Sequence, residues 1–312
     1  MLQLFLLIIH IAVIFVGPIF MIGIINRVKS LWSGRRGPRL NQSYFELLRL
    51  LRKTPVYSQV TSWIFPMAPT IVLATTITAS LLAPIVAGYA PIKFPMDFVA
   101  FVYILGLGKL MMMLGALDTG SAFEGMGASR EATYSGLAEP VFLLGLGTLA
   151  WASNATTFQD LVAPSNVPLL DLGLRITISL AFFAILMIEA SRVPADDPTT
   201  HLELTMVHEV MILDHSGPEL AMVQYASAMK LTMLAGIIAS ILNPIVSGDN
   251  VFLTIVSALL SILLMVVIAI SIGMIESLIA RLRFVTLPLY VLAAFVAVVL
   301  SLVIVTANRE YF

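Results

Sequence analysis

Uninterrupted apolar runs of about twenty residues recur along the chain, and they restrict its possible folds more than any other feature. An α-helix rises about 1.5 Å per residue, so about 20 apolar residues cross the hydrocarbon of a bilayer. Inside that layer every backbone N–H and C=O needs a partner within the protein, which leaves helices or closed barrels. The runs here are continuous rather than alternating, so they read as helices. Eight spans are predicted, near 2–25, 65–88, 97–117, 131–153, 172–190, 219–245, 251–274 and 284–306. With 59% hydrophobic residues, 11% charged residues and a mean hydropathy of +1.00, the chain reads as polytopic and all-α, a single transmembrane domain over residues 1–312. The first cation is Arg27. A cleavable signal peptide starts positively charged and has a shorter apolar core, so residues 1–25 read as a retained first span.

Net charge is −1, which gives no bulk field for nucleic acid, and cysteine is absent. Disulfides, thiol chemistry and cysteine-ligated iron–sulfur clusters are therefore excluded from this chain. Walker, dinucleotide-binding and nucleophile-elbow patterns do not occur in the sequence. Lysine and arginine set the orientation. Arg27, Lys29, Arg35, Arg36, Arg39, Arg49, Arg52 and Lys53 follow the first span, and Arg130, Arg192, Arg281 and Arg283 fall on the same side. Lys93, Arg175 and Arg309 fall on the other. Loops 26–64, 118–130, 191–218 and 275–283 are thus expected in the cytoplasm, with both termini outside.

The segment SYFELLRLLRK at 43–53 is too short to cross. Tyr44, Leu47, Leu48 and Leu51 recur at helical spacing, with Glu46, Arg49, Arg52 and Lys53 elsewhere on the wheel. This predicts an amphipathic helix on the cytoplasmic side, stopped at Pro55. The competing reading is a plain basic loop.

Three stretches carry polar chemistry. RRGPRLNQ at 35–42 turns at Gly37-Pro38 just after Arg35 and Arg36. It reads either as a lipid anchor or as a docking surface for a cytoplasmic partner. LDTGSAFEGMGASREATYSGLAEP at 117–140 is rich in small residues that allow close helix approach. Within it, Glu139 follows Arg130 by nine residues, about 13 Å along a helix, which puts this carboxylate inside the hydrocarbon. An intramembrane acid of this kind handles protons or makes a structural polar contact. Lys109 and Lys230 also fall within spans, and a buried lysine must pair or lose its proton. Glu139 or another intramembrane acid is a candidate partner, and the sequence does not choose between them.

Residues 187–220 hold Glu189, Asp196, Asp197, Glu203, Glu209, Asp214 and Glu219, three of the four histidines and a single cation, Arg192. His201, His208 and His215 are seven residues apart, about 10.5 Å on a helix, too far to share a metal. The His208-Glu209 pair lacks the second histidine of a zinc-protease motif. The stretch is either a water-filled acidic funnel or a solvated face. The residues alone thus describe an eight-span protein with a polar cavity on one side, relaying or moving charge.

These stretches together resemble the membrane subunit shared by energy-converting membrane-bound nickel-iron hydrogenases, of formate hydrogenlyase type, and by respiratory complex I, where it is the quinone-site subunit 1. RRGP at 35–38 is similar to the family's R-x-G-P. EASRVPADDP at 189–198 matches E-x-x-R-x-P-x-D-x-P, Glu203 falls on a later family acid, and His201 stands where glutamate is usual. Arg130 and Glu139 match an arginine and a glutamate at the same separation. DHSG at 214–217 resembles E-Y-S-G, after a longer interval from Glu203. LDTGS and GASRE favour the hydrogenase branch.

The resemblance implies a multi-pass subunit of the cell inner (cytoplasmic) membrane, not catalytic by itself, that belongs to an oxidoreductase complex. It would anchor the hydrogenase large and small subunits and iron–sulfur proteins, through Arg35, Arg36, Gly37, Pro38 and Asp214. It would couple them to antiporter-like membrane subunits that move protons or sodium, through Glu139, Glu189, Arg192, Asp196, Glu203, Arg130 and Lys230. The chain itself would hold no cofactor or metal; the nickel-iron centre and iron–sulfur clusters would lie in partners. The alternative is the quinone-site subunit of a complex I-like dehydrogenase acting on NADH or ferredoxin. A stand-alone transporter lacks support, because no paired broken helices recur in the two halves. A further alternative is a purely structural anchor with no ion role.

Overall fold

A computed structural model describes residues 2–163, 168–193, 196, 206–245, 250–279, 282 and 286–307, with the backbone alone for 168–171. Eight described helices are long and apolar enough to cross a membrane. They are α1 (Leu2–Trp32), α3 (Ile64–Leu82), α4 (Asp97–Asp118), α5 (Ala122–Ser153), α7 (Pro168–Glu189), α9 (Gly217–Leu242), α10 (Val251–Leu278) and α11 (Leu287–Ala307). Three shorter helices are α2 (Gln42–Leu51), α6 (Phe158–Leu161) and α8 (His208–Met211). No strands occur among the described residues. The protein is a multi-pass membrane protein.

The most enclosed helix is α9, which packs against α1, α3, α7 and α10. Small residues set the close contacts. A Cβ on Gly236 of α9 would overlap Ile85, and one on Gly145 of α5 would overlap the Phe182 ring of α7. The outward faces of α1, α4, α10 and α11 carry exposed leucine, valine, isoleucine and phenylalanine, as a lipid-facing surface requires.

Segment 43–53 forms the amphipathic helix, at Gln42–Leu51. The loop before it folds back along α1. Arg35 N–H donates to the Ser30 carbonyl at 2.8 Å, and a Cβ on Gly37 would meet the Arg27 Cα at 3.1 Å. A Cβ on Gly23 would overlap the Leu40 carbonyl oxygen. The glycine of the RRGP motif is therefore explained by close backbone packing.

Two predicted boundaries are corrected. Residues 118–130 are not a loop: helix α5 begins at Ala122, so only 119–121 connect α4 to α5, and Arg130 is a helical residue. The small residues that read as loop instead let α8 press onto α5, where a Cβ on Gly127 would overlap Val210. Helix α3 stops at Leu82 rather than 88, because Pro84 cannot continue it. The irregular segment that follows is buried, and its backbone is satisfied by the protein. Ala87 N–H donates to the Ser261 hydroxyl at 3.0 Å, and Asn243 Nδ2 donates to the same oxygen at 3.0 Å. Non-helical backbone at membrane depth needs such partners.

The end opposite α2 is closed by buried polar contacts. Arg175 donates to the carbonyls of Val162 (2.8 Å), Ile241 (3.0 Å) and Ala163. Asp97 accepts from Phe158 N–H at 2.6 Å. The cavities lie toward the α2 end.

Candidate functional site

Four charged side chains from four helices form a continuous buried chain. Lys109 of α4, Glu139 of α5 and Lys230 of α9 sit near the middle of their helices, and Glu189 ends α7 among them. Lys230 Nζ lies 2.7 Å from Glu189 Oε2, and Glu189 Oε1 lies 2.6 Å from Lys109 Nζ. Lys109 Nζ then reaches Glu139 Oε1 at 2.8 Å. Each inner member holds two partners of opposite sign, and the formal charge of the four sums to zero. That balance is how a low-dielectric interior tolerates ions at all. Exposure is lowest at the two inner members and greatest at one end: the side chains of Lys109 and Glu189 are each 10% exposed and that of Lys230 15%, whereas Glu139 is 34% exposed. Glu139 is thus the end that reaches the flank of the bundle.

Two cavities border this chain and a larger one lies next to them. The largest, about 320 Å³, lies between α1, α2, α8 and α9 at the α2 end, and Lys29, Glu46, Arg192, His208 and Glu209 line it. A second, about 50 Å³, is lined by Lys109, Glu131, Glu189 and Lys230. A third, about 20 Å³, touches Lys109, Glu139 and Glu189. Ser191, His208 and Ser227 are common to the first and second cavities, and Lys109 and Glu189 to the second and third.

The sequence singled out Glu139, Glu189 and Lys230, and the fold brings them together. Lys230 pairs with Glu189 and not with Glu139. The link between the two acids is Lys109, recognised as an intramembrane cation but assigned no role. Its only sequence signal is a cation in an apolar run.

Arg192 does not join the four. Its Nη1 lies 3.5 Å from Glu276 Oε1, and Lys29 Nζ lies 2.9 Å from Glu276 Oε2. This second charge group, centred on a fully buried Glu276 side chain, ties α1 and α10 to the segment after α7. Sequence reading missed Glu276, which sits near the end of a span where acids are unremarkable.

Asp196 is buried and accepts from Val207 N–H at 3.0 Å and His208 N–H at 3.1 Å, so it positions α8. Arg130 donates to the Met206 carbonyl at 2.8 Å and fixes the same segment to α5. Glu203 lies outside the described residues, as do Asp197 and His201.

Of the proposed docking residues, Arg35, Arg36 and Pro38 are exposed at the α2 end, and Asp214, in the DHSG motif, is exposed as well. That motif clasps the chain after α2. Val56 N–H donates to the Ser216 hydroxyl at 2.9 Å, and the Tyr57 hydroxyl donates to Glu219 Oε1 at 2.5 Å. The bond to Glu219 raises the Tyr57 phenol above its ordinary pKa. His215 stacks on Phe65 with ring centroids 4.0 Å apart. Burial holds its imidazole below the ordinary histidine value, against the opposite pull of Glu219. Of the described acids of residues 187–220, Asp196 and Glu219 hold backbone and loop in place, Glu189 pairs with two lysines, Glu209 lines the large cavity and Asp214 is exposed.

The model of the family described as NADH dehydrogenase matches residues 4–307. The chain belongs to the NADH dehydrogenase family. Two curated relatives come from Escherichia coli (strain K12). Hydrogenase-4 component C is 27% identical over 275 residues, which cover 86% of this chain and 84% of that protein. Formate hydrogenlyase subunit 4 is 25% identical over 267 residues, covering 84% and 85%. A solved chain from the membrane-bound sulfane sulfur reductase, an archaeal respiratory membrane complex, superposes with a TM-score of 0.75. It covers 95% of this chain and 97% of its own length at 19% identity, a likeness of fold. By their names, the two relatives are a component and a subunit of larger assemblies, and the solved chain comes from a membrane complex.

Proposed function

We propose that the chain is the membrane subunit of a complex I-like, membrane-bound nickel-iron hydrogenase of the inner membrane, and that it couples redox turnover to ion movement. The observation that carries the coupling role is the buried Lys230–Glu189–Lys109–Glu139 chain, approached by cavities from the α2 end. A chain of alternating acids and bases can pass a proton by re-pairing, whereas a structural contact needs only one pair. The relatives' names supply the hydrogenase half of the reading.

The α2 end, by the excess of cations there, faces the cytoplasm in this proposal. It offers the soluble redox subunits Arg35 and Arg36 together with exposed Leu31, Trp32, Val56, Val60 and Trp63. Redox centres belong to those partners, since this chain has no cysteine to hold a cluster. Glu139 argues for a membrane neighbour, of the antiporter-like class. A carboxylate one-third exposed at mid-membrane is costly against lipid and is relieved when a polar subunit covers it.

The test is Glu139→Gln in the whole complex, reconstituted in proteoliposomes. Glutamine keeps the shape and a hydrogen-bonding head but cannot titrate. Ions moved per redox turnover should fall about ten-fold or more. An unchanged ratio defeats the relay role. A second reading rests on the 320 Å³ cavity, which lies in the usual range for small-ligand sites. It makes the chain a quinone-site subunit, and quinone reduction by the purified complex would favour it.

A further inference from the structure

His208 stands where the large cavity meets the buried charge chain. It is one of three residues that line both the outer cavity of about 320 Å³ and the inner one of about 50 Å³; Ser191 and Ser227 are the others. On the outer side it shares the wall with Glu46 and Glu209, and on the inner side with Glu131 and Glu189. Both spaces exceed the ~10–15 Å³ that holds one water, and both have polar walls. The short helix that carries His208 is firmly placed. Asp196 accepts its N–H and that of Val207, and Val210 and Met211 are buried against α5 at Gly127. Among the described residues the imidazole has no hydrogen-bond partner, whereas the described chain members Lys109, Glu139, Glu189 and Lys230 are all paired.

We infer that His208 is the hand-off residue that passes protons between the open cavity and the buried Glu189–Lys109 centre. Imidazole has two nitrogens, so one can accept a proton from the outer side while the other releases one to the inner side. The step is balanced. A water-borne proton binds one ring nitrogen and gives an imidazolium. The proton on the other nitrogen leaves for an inner water and then the Glu189–Lys109 pair, and the ring returns to neutrality as its other tautomer. A serine hydroxyl at the same junction can conduct only if its neighbours donate and accept at once; the imidazole can hold the proton between the two transfers. This inference rests on the relay reading of the buried chain and names its entry point.

The complex carrying His208→Gln, His208→Ala or Glu139→Gln would be reconstituted in proteoliposomes, with ion uptake and redox turnover measured together. His208→Gln should lower ions moved per turnover at least about five-fold. His208→Ala should lower it similarly and recover on addition of free imidazole, which the vacated junction and the open cavity admit. A merely structural role would not respond to imidazole. An unchanged ratio in His208→Gln, or a loss in His208→Ala that imidazole does not reverse, overturns the assignment. Loss in Glu139→Gln with none in His208→Gln defeats this inference alone, whereas no loss in Glu139→Gln defeats the relay reading itself.

Discussion

At the scale of single residues, Lys109 has the largest burden. It neutralises both Glu139 and Glu189, while Lys230 serves Glu189 alone. Breaking a buried pair strands the partner's charge, at a cost of about 3–5 kcal/mol. Lys109→Met should therefore lower the thermal stability of the detergent-solubilised protein by more than Lys230→Met does. Adding Glu139→Gln to Lys109→Met should restore part of that loss, since a neutral amide no longer needs the cation. The two pairs are in contact, so the double-mutant cycle should be clearly non-additive. Additive losses would mean that solvent screens Glu139, and the chain of four would reduce to Lys230–Glu189–Lys109.

At the scale of elements, the loop between α1 and α2 depends on two close backbone approaches. Gly23 meets the Leu40 carbonyl, and Gly37 meets Arg27 and Ser30. Gly23→Ala gives a Cβ with no room beside a backbone oxygen, so the loop must move; overpacking of this kind costs about 1–3 kcal/mol. Trypsin should then cut faster at Arg35, Arg36 and Arg39 while the membrane spans stay protected. Unchanged cleavage would show that the loop is already free of α1. Helix α8 illustrates the same dependence on small residues, because Gly127 gives it room against α5. It also lies in the interval between Glu203 and the DHSG motif. That interval supplies His208 to the junction of two cavities.

At the scale of the whole molecule, the asymmetry of charge becomes an asymmetry of structure. The α2 end has the cations, the exposed aromatic edge and the cavities, and the opposite end is closed around Arg175, Asp97 and Asn243. The chain contains no cysteine, so single cysteines report orientation cleanly. Arg36→Cys, in the exposed loop after α1, should react with a membrane-impermeant maleimide only from the cytoplasmic face. Lys93→Cys, exposed at the other end, should react only from outside. The reverse pattern would invert the docking face and redirect the cavities to the outside.

Eight spans were legible from apolar runs alone, because a bilayer demands helices and their length is set by its thickness. The amphipathic helix followed from periodicity, and the intramembrane acid and lysines stood out as charges in hydrocarbon. Boundaries shifted where small residues, as at 120–129, read as loop but served helix packing. Pairing was beyond the sequence. Lys109 and Glu139 are 30 residues apart, Lys109 and Glu189 are 80 apart, and which cation meets which acid depends on how four helices rotate and slide against each other. The same holds for Glu276, which becomes a buried anchor only because α10 lies against α1. Hydrophobic pattern fixes how many helices cross and in which order; interhelical packing alone decides which side chains share the dry space between them.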